Sequence, residues 1–189
     1  MKFINRKFAW LVLSLIVLFA QANAQEKTFD EAILSESGKQ AYQMLLKIKL
    51  FAIGGIGYGG ETSEGEKAFD ILLEDKEAVS AFKSLAKNAS SESGLYGLLG
   101  LKINDCDCFE QELNNYKKSK ISEENKERFS TQAGCSFYYA DKSSDKEFVI
   151  DYIVSKGFEN FRAIKIRQKK NRELIEKLNK ENNGVKKNQ

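Results

Sequence analysis

SEGEKAFDILLEDKEAVSAFKSLAKNASSESGLYGLLGLKI, Ser63 to Ile103, is the stretch on which the fold turns. Ser63 and Glu66 stand three apart ahead of an apolar series, the pattern of a capping box. The serine hydroxyl is placed to accept from the Glu66 N–H, and the glutamate carboxylate to reach back. Ala68, Phe69, Leu72 and Leu73 then share one helical face. Asp75 is placed to cap the next helix, in which Ala78, Val79, Phe82, Leu85 and Ala86 recur at helical spacing. Asn88 to Ser91 reads as a polar break and Leu95 to Ile103 as a further short helix. Gly97 and Gly100 each cost that helix about 1 kcal/mol against alanine. A close helix–helix contact is expected to offset them and to put this segment at the centre of the core.

On the N-terminal side, Gln25 to Glu36 reads as a lead-in with a short helix over Phe29 to Leu34. Gly38 to Ile53 reads as a deeply buried helix, with Ala41, Leu45, Ile48 and Ala52 on one face and Tyr42, Met44, Leu46, Leu50 and Phe51 widening it. Gly54 to Gly60, GGIGYGG, lacks the lysine and serine of a phosphate-cradling loop and follows a helix rather than a strand. A structural connection is the expected role.

On the C-terminal side, NDCDC (Asn104–Cys108) reads as a turn, and Phe109, Leu113 and Tyr116 form the stripe of a helix ending near Lys118. Ser119 to Ala133 is charged and poorly periodic; Ser136 to Ala140 reads as a short strand or extended loop. A helix from Ser144 carries Phe148, Ile150, Tyr152 and Ile153 as its apolar residues and ends at Gly157. The chain has no proline, which suits a mainly helical fold. The expected fold class is all-α, a helical bundle or short HEAT-like α-superhelix, with one short strand near 136–140.

The first 24 residues have three zones: Lys2, Arg6 and Lys7 without an acid, the 13-residue apolar run Phe8–Ala20, and the small-residue ending Ala22-Asn23-Ala24. That is the order of a secretory signal peptide. The apolar run is short of the about 20 residues a spanning helix needs. The expected division is a signal peptide over 1–24, a helical domain over 25–161 and a basic C-terminal helix and tail over 162–189. The expected location is bacterial and exported, periplasmic or secreted, with no transmembrane segment left after signal removal.

The strings SEGEKAFDILLEDKEAVSAFKSL and SGLYGLLGLKI, with AGC at Ala133 to Cys135, resemble a group of uncharacterised exported bacterial proteins. In that group a glycine-rich segment precedes a Ser-Glu-Gly-Glu helix, a Gly-x-Leu-Tyr helix and a later Gly-Cys. The resemblance spans Gly54 to Cys135 and implies an envelope or secreted setting; it implies no activity.

Histidine is absent, which excludes Ser-His-Asp and Cys-His catalytic sets and imidazole zinc sites. Cys106, Cys108 and Cys135 are disulfide candidates in an oxidising compartment. A bridge from Cys135 to Cys106 or Cys108 closes a loop of about 30 residues, worth about 3–4 kcal/mol in the chain-entropy account, and is the favoured pairing. A bridge within Cys-Asp-Cys is the more strained and reducible alternative. A redox thiol, with Cys108 at a helix start, and a soft-metal thiolate site are the functional readings; Asp105 and Asp107 disfavour both. Glu61, Glu64 and Glu66, like Asp105 and Asp107, are acids at helix starts, as the helix dipole favours; paired carboxylates for hydrolysis are the rival reading.

Residues 162–189 hold ten Lys+Arg against three Asp+Glu, whereas residues 25–161 hold 17 against 24. Phe161, Ile164, Leu174, Ile175 and Leu178 form an apolar stripe in the basic part. Packing of this helix on the acidic body is the plain reading; the sharper one makes Arg162, Lys165, Arg167, Lys169, Lys170 and Arg172 a surface for anionic lipid or an acidic envelope polymer. An envelope protein or anionic envelope surface is therefore the expected partner, nucleic acid is not, and neither a cofactor nor a metal is expected. The expected function is a non-catalytic binding or structural module of the cell envelope, the alternative a thiol-dependent redox protein or carboxylate-dependent hydrolase.

Overall fold

A computed structural model describes residues 29–159 except 55, 58, 123, 125, 134 and 135, together with 161, 163, 166, 170 and 173–175. The chain divides into two compact units, Met1–Asp30 and Glu31–Gln189. The expected signal peptide over 1–24 lies outside the described residues. Among the described residues of the second unit the order begins with a 3-10 turn (Glu31–Ile33), α1 (Glu36–Lys47), β1 (Phe51–Ala52), α2 (Glu64–Leu73) and α3 (Ala78–Asn88). It continues with α4 (Ser91–Ile103), α5 (Phe109–Ile121), β2 (Phe129–Ala133), β3 (Ser136–Ala140), α6 (Ser143–Tyr152) and a π-helical turn (Ile153–Gly157). The fold is mainly helical, with one small sheet of order β1-β2-β3.

Helix α4 is the axis of the domain. Every residue from Ser91 to Leu101 is buried. α3 packs against it so closely that a Cβ added to Gly97 would lie 2.5 Å from the Ala86 nitrogen and 2.7 Å from the Phe82 carbonyl oxygen. A Cβ at Gly100 would enter the Phe82 ring. The two glycines thus let one helix backbone rest on the next, as their cost in helix propensity implied. Phe82 also meets Phe69 of α2 at 5.3 Å between ring centroids, and Phe69 meets Tyr96 of α4 at 5.8 Å. This aromatic row carries the core from α3 through α2 to α4.

α4 begins at Ser91 rather than Leu95. The hydroxyl of Ser90 accepts from the Ser93 N–H at 3.4 Å and caps it. The polar break falls at Ala89 and Ser90, and Ser91 to Gly94 form the first turn of the most buried helix. The reason lies across the interface: Ser93 Oγ donates to the Leu45 carbonyl at 2.5 Å and Ser90 Oγ to the Ile48 carbonyl at 3.5 Å. These serines add donors to carbonyls at the C-terminal end of α1, where Leu45 also accepts from the Ile48 N–H at 3.3 Å.

That clamp also accounts for a second departure. The helix expected over Gly38 to Ile53 stops at Lys47, with Ile48 extended at its C-cap. Phe51 and Ala52 become β1, paired in parallel with Thr131 and Gln132 of β2. Met44, expected on the buried face, is 45% exposed. β3 lies antiparallel to β2 over the expected residues 136–140, whereas β1 and β2 were not foreseen as strands. Beyond β1, Gly54, Gly57 and Gly60 have φ of 88°, 65° and 63°, and Ile56 and Glu61 exchange two backbone hydrogen bonds of 2.9 Å. The glycine-rich segment is thus a tight connecting turn.

In α5 the expected stripe Phe109, Leu113 and Tyr116 is buried. In α6 the inward residues are Lys146, Val149 and Ile150, while Phe148 and Tyr152 stack on each other facing solvent. Gly157 does not end this helix: the π turn passes into helical backbone at Phe158.

Replacing Gly97 by alanine is expected to destabilise the protein by about 1–3 kcal/mol, because overpacking against rigid backbone exceeds the gain in helix propensity. Gly59, where an added Cβ meets only the Glu61 side chain at 3.6 Å or more, is the control. Urea-unfolding midpoints should fall for Gly97→Ala and stay close to the parent for Gly59→Ala.

Candidate functional site

Of the six basic residues singled out as a surface, Arg162, Lys165, Arg167, Lys169 and Arg172 lie outside the described residues. Lys170 is described, helical and exposed. Around it Ile166, Leu174 and Ile175 are 50%, 56% and 57% exposed. A helix that folded its apolar residues onto the acidic body would cover such side chains. Phe161 does face the body, with its ring 6.3 Å from Phe51. The segment is anchored where it begins and carries open apolar side chains further along.

Of the carboxylates that sequence alone leaves available for chemistry, Glu66 is bound up in the fold. Ser63 Oγ accepts from the Glu66 N–H at 3.0 Å, as a capping box requires. The Glu66 carboxylate does not reach back; it accepts from the Gly54 N–H at 2.8 Å and holds the glycine turn against α2. Ser63 donates onward to the Ala52 carbonyl at 2.9 Å. Asp75 is not the N-cap residue of α3, which is Glu77. It accepts from the Glu77 N–H at 3.0 Å and from the Ser35 N–H and hydroxyl at 3.0 and 2.6 Å, tying the start of α3 to the cap of α1. Burial opposes its ionisation, but these donors outweigh it and lower its pKa. Glu61 and Glu64 are exposed.

A polar cluster that sequence reasoning missed surrounds the N-terminus of α4. Glu92, 5% exposed, accepts from the Ser130 N–H at 2.9 Å and so ties α4 to β2. Glu127 accepts from the Ser91 N–H at 2.9 Å and pairs with Lys120 at 3.2 Å. Lys120 also donates to the Ala89 carbonyl at 3.1 Å. Tyr116, fully enclosed, donates to the Ser91 carbonyl at 2.6 Å. Lys146 of α6 is buried with its ammonium 5.7 Å from the Phe129 ring centroid. Burial lowers the Lys146 pKa, raises that of Glu92, and pushes the Tyr116 hydroxyl well above the usual tyrosine range. For Glu127 burial is outweighed by the Ser91 N–H and Lys120, and its pKa falls. The signal that could have revealed this cluster is weak: a buried tyrosine requires a partner for its hydroxyl, but nothing local names the partner. On the opposite side, Glu112, 1% exposed, lies 3.5 and 3.8 Å from the ammonium groups of Lys83 and Lys87, joining α5 to α3.

The cysteines are arranged differently from the favoured expectation. Cys106 bonds to Cys108, and Cys135 lies outside the described residues. The favoured bridge to Cys135 is replaced because the turn between α4 and α5 folds the two sulfurs together. Asp105 adopts a left-handed φ of 49°, and the Cys108 N–H donates to the Cys106 sulfur at 3.2 Å. A loop this short restricts the unfolded chain by only about 1.5 kcal/mol in the chain-entropy account. Cys106 borders a cleft of about 270 Å³ lined also by Lys102, Asp105, Asp107, Phe109 and Glu110. A second cleft of about 280 Å³ lies between α1 and α2, floored by Ala41, Met44, Ala68 and Ile71.

Among the described residues no group of three or more Cys, Asp or Glu side chains is placed to hold a metal ion, and no helix is long and apolar enough to cross a membrane. In comparison with known proteins, the chain matches no family model, no curated protein and no solved structure.

The raised pKa of Glu92 fixes a pH dependence. A carboxyl whose folded pKa lies above its unfolded value of 4.5 costs stability as pH rises through that interval. Glu92→Gln keeps an acceptor for the Ser130 N–H and removes the buried charge. It is therefore expected to be more stable than the parent at pH 7, with the difference vanishing below pH 4.5. Thermal unfolding of both proteins across pH 3.5–7.5, a range of about four units, checks the sign.

Proposed function

We propose that the mature chain is an exported, non-catalytic helical module of the bacterial cell envelope that attaches to an anionic lipid surface through residues 162–189. The observation that carries this reading is the exposure of Ile166, Leu174 and Ile175 in a segment holding ten Lys+Arg against three Asp+Glu. Open apolar side chains among lysines and arginines suit a bilayer interface, where the chains enter the acyl boundary and the cations meet lipid phosphates. An acidic polymer would engage the charge and leave the apolar residues without a role. The three-zone N-terminus supplies the address, and the resemblance to exported bacterial proteins agrees with it. The engagement of Glu66 by the Gly54 N–H takes one of the paired-carboxylate candidates into the fold.

Co-sedimentation of residues 25–189 with vesicles tests the reading. Binding is expected to vesicles containing phosphatidylglycerol and not to phosphatidylcholine alone, and to weaken about tenfold as salt screens the surface. A chain ending at Phe161 should not bind. Leu174→Ser/Ile175→Ser preserves net charge and should weaken binding about tenfold, since each buried aliphatic side chain contributes about 1.5–3 kcal/mol at most. Unchanged binding by that double variant would overturn the lipid reading in favour of an acidic polymer.

A further inference from the structure

The geometry points to Cys106–Cys108 as an exchangeable disulfide that a thiol reductant reaches through the cleft beside Cys106. Three observations carry the inference, and none depends on residues 162–189. Both cysteines are only partly buried, unlike Phe109 beside them. Cys106 lines the cleft with Lys102 and Phe109, so one residue of the bridge borders a space of about 270 Å³, room for a small thiol. The fold around the bridge is closed without it. The Cys106 N–H donates to the Leu101 carbonyl, the Phe109 N–H to the Cys106 carbonyl and the Asn104 N–H to the Gly100 carbonyl, at 2.9–3.1 Å. A bridge that spans three residues and supports contacts already made by the backbone has little structural work left.

The position of Cys108 sets the direction of exchange. It is the N-cap residue of the 13-residue α5. A thiolate released there faces the positive end of the helix dipole. An incoming thiolate therefore attacks Cys106 Sγ from the cleft, the Cys106–Cys108 bond breaks, and its electron pair leaves on Cys108 Sγ. The leaving thiolate takes a proton from water, replacing the one the attacking thiol gave up. The second thiol of a dithiol reductant then attacks its own sulfur in the mixed disulfide and releases Cys106. Two electrons and two protons pass to the pair, and the dithiol becomes a disulfide. Asp105, Asp107 and Glu110 rim the cleft against the single Lys102. That balance repels anionic thiols and favours neutral dithiols or thiols borne on a basic surface.

The test uses residues 25–189 purified in oxidised form, with alkylation and peptide mapping to separate Cys106, Cys108 and Cys135. Dithiothreitol should reduce the pair in native buffer within tenfold of the rate in guanidinium, with the helical circular dichroism retained. Greater protection, loss of the helical signal on reduction, or a bridge from Cys135 to either residue would overturn the inference. Cysteamine, quenched early by acid, should be found on Cys106; recovery on Cys108 would defeat the assigned direction. Normalised to the unfolded chain, cysteamine should react about fivefold faster than 3-mercaptopropionate, and Asp105→Asn/Asp107→Asn should abolish that preference. Equal rates in the parent protein would refute the role of the acidic rim. Cys106→Ser/Cys108→Ser should unfold at nearly the parent temperature; a collapse of stability would mark the bridge as structural.

Discussion

The Tyr96 hydroxyl holds both backbone groups of Ala52: it donates to the carbonyl at 2.8 Å and accepts from the N–H at 3.0 Å. A side chain from the central helix thereby does for β1 what a neighbouring strand would do, and a two-residue strand can exist beside α4. The surroundings are arranged for this contact. Gly65 leaves room, since a Cβ there would stand 2.5 Å from the hydroxyl. Ser63 shares the Ala52 carbonyl, and Phe51 lays its ring 4.6 Å from that of Tyr96. Burial pushes the Tyr96 pKa up to about 12, so the hydroxyl keeps its proton and its double role at neutral pH.

The same economy recurs around α4. Beside the apolar packing, elements are joined by one polar side chain on one backbone group: Ser93 on Leu45, Glu92 on Ser130, Glu127 on Ser91, Glu66 on Gly54. Each such bond satisfies a group that burial would otherwise leave at a cost of about 1–3 kcal/mol. The acidic excess of residues 25–161 is thus partly architectural. Of the basic residues in 162–189, Lys170 is the one described, and it is exposed.

Periodicity made α2, α3, the inner part of α4 and the buried stripe of α5 legible, because those faces are set by residues three and four apart. The half of the capping box that is local, Ser63 on Glu66, was legible for the same reason. What escaped depends on partners distant in sequence. At the end of α1, Ser90 and Ser93 donate to the Ile48 and Leu45 carbonyls, and Phe51–Ala52 extend where Tyr96 and β2 receive them. Aromatic character alone points Phe148 and Tyr152 inward, yet α6 buries Lys146 beside Val149 and Ile150, with its ammonium near the ring of Phe129. At the candidate surface, charge and hydropathy were readable as a pattern; the exposure of Ile166, Leu174 and Ile175 was not, since pattern alone does not say whether a stripe is covered.

The parallel pairing of Phe51 and Ala52 with Thr131 and Gln132 also bears on how the chain assembles. Its partners lie 80 residues apart in sequence, whereas α3 and α4 are neighbours joined by two residues. Contacts between near neighbours form early, and closing a long loop is charged to the folding barrier. The α3–α4 pair can therefore be complete before β2 is available, with Tyr96 already presenting its hydroxyl to Ala52. In loop-closure terms the β1–β2 pairing is the costly contact of this fold and the α3–α4 pairing the cheap one, and the Tyr96 hydroxyl lies where the two meet.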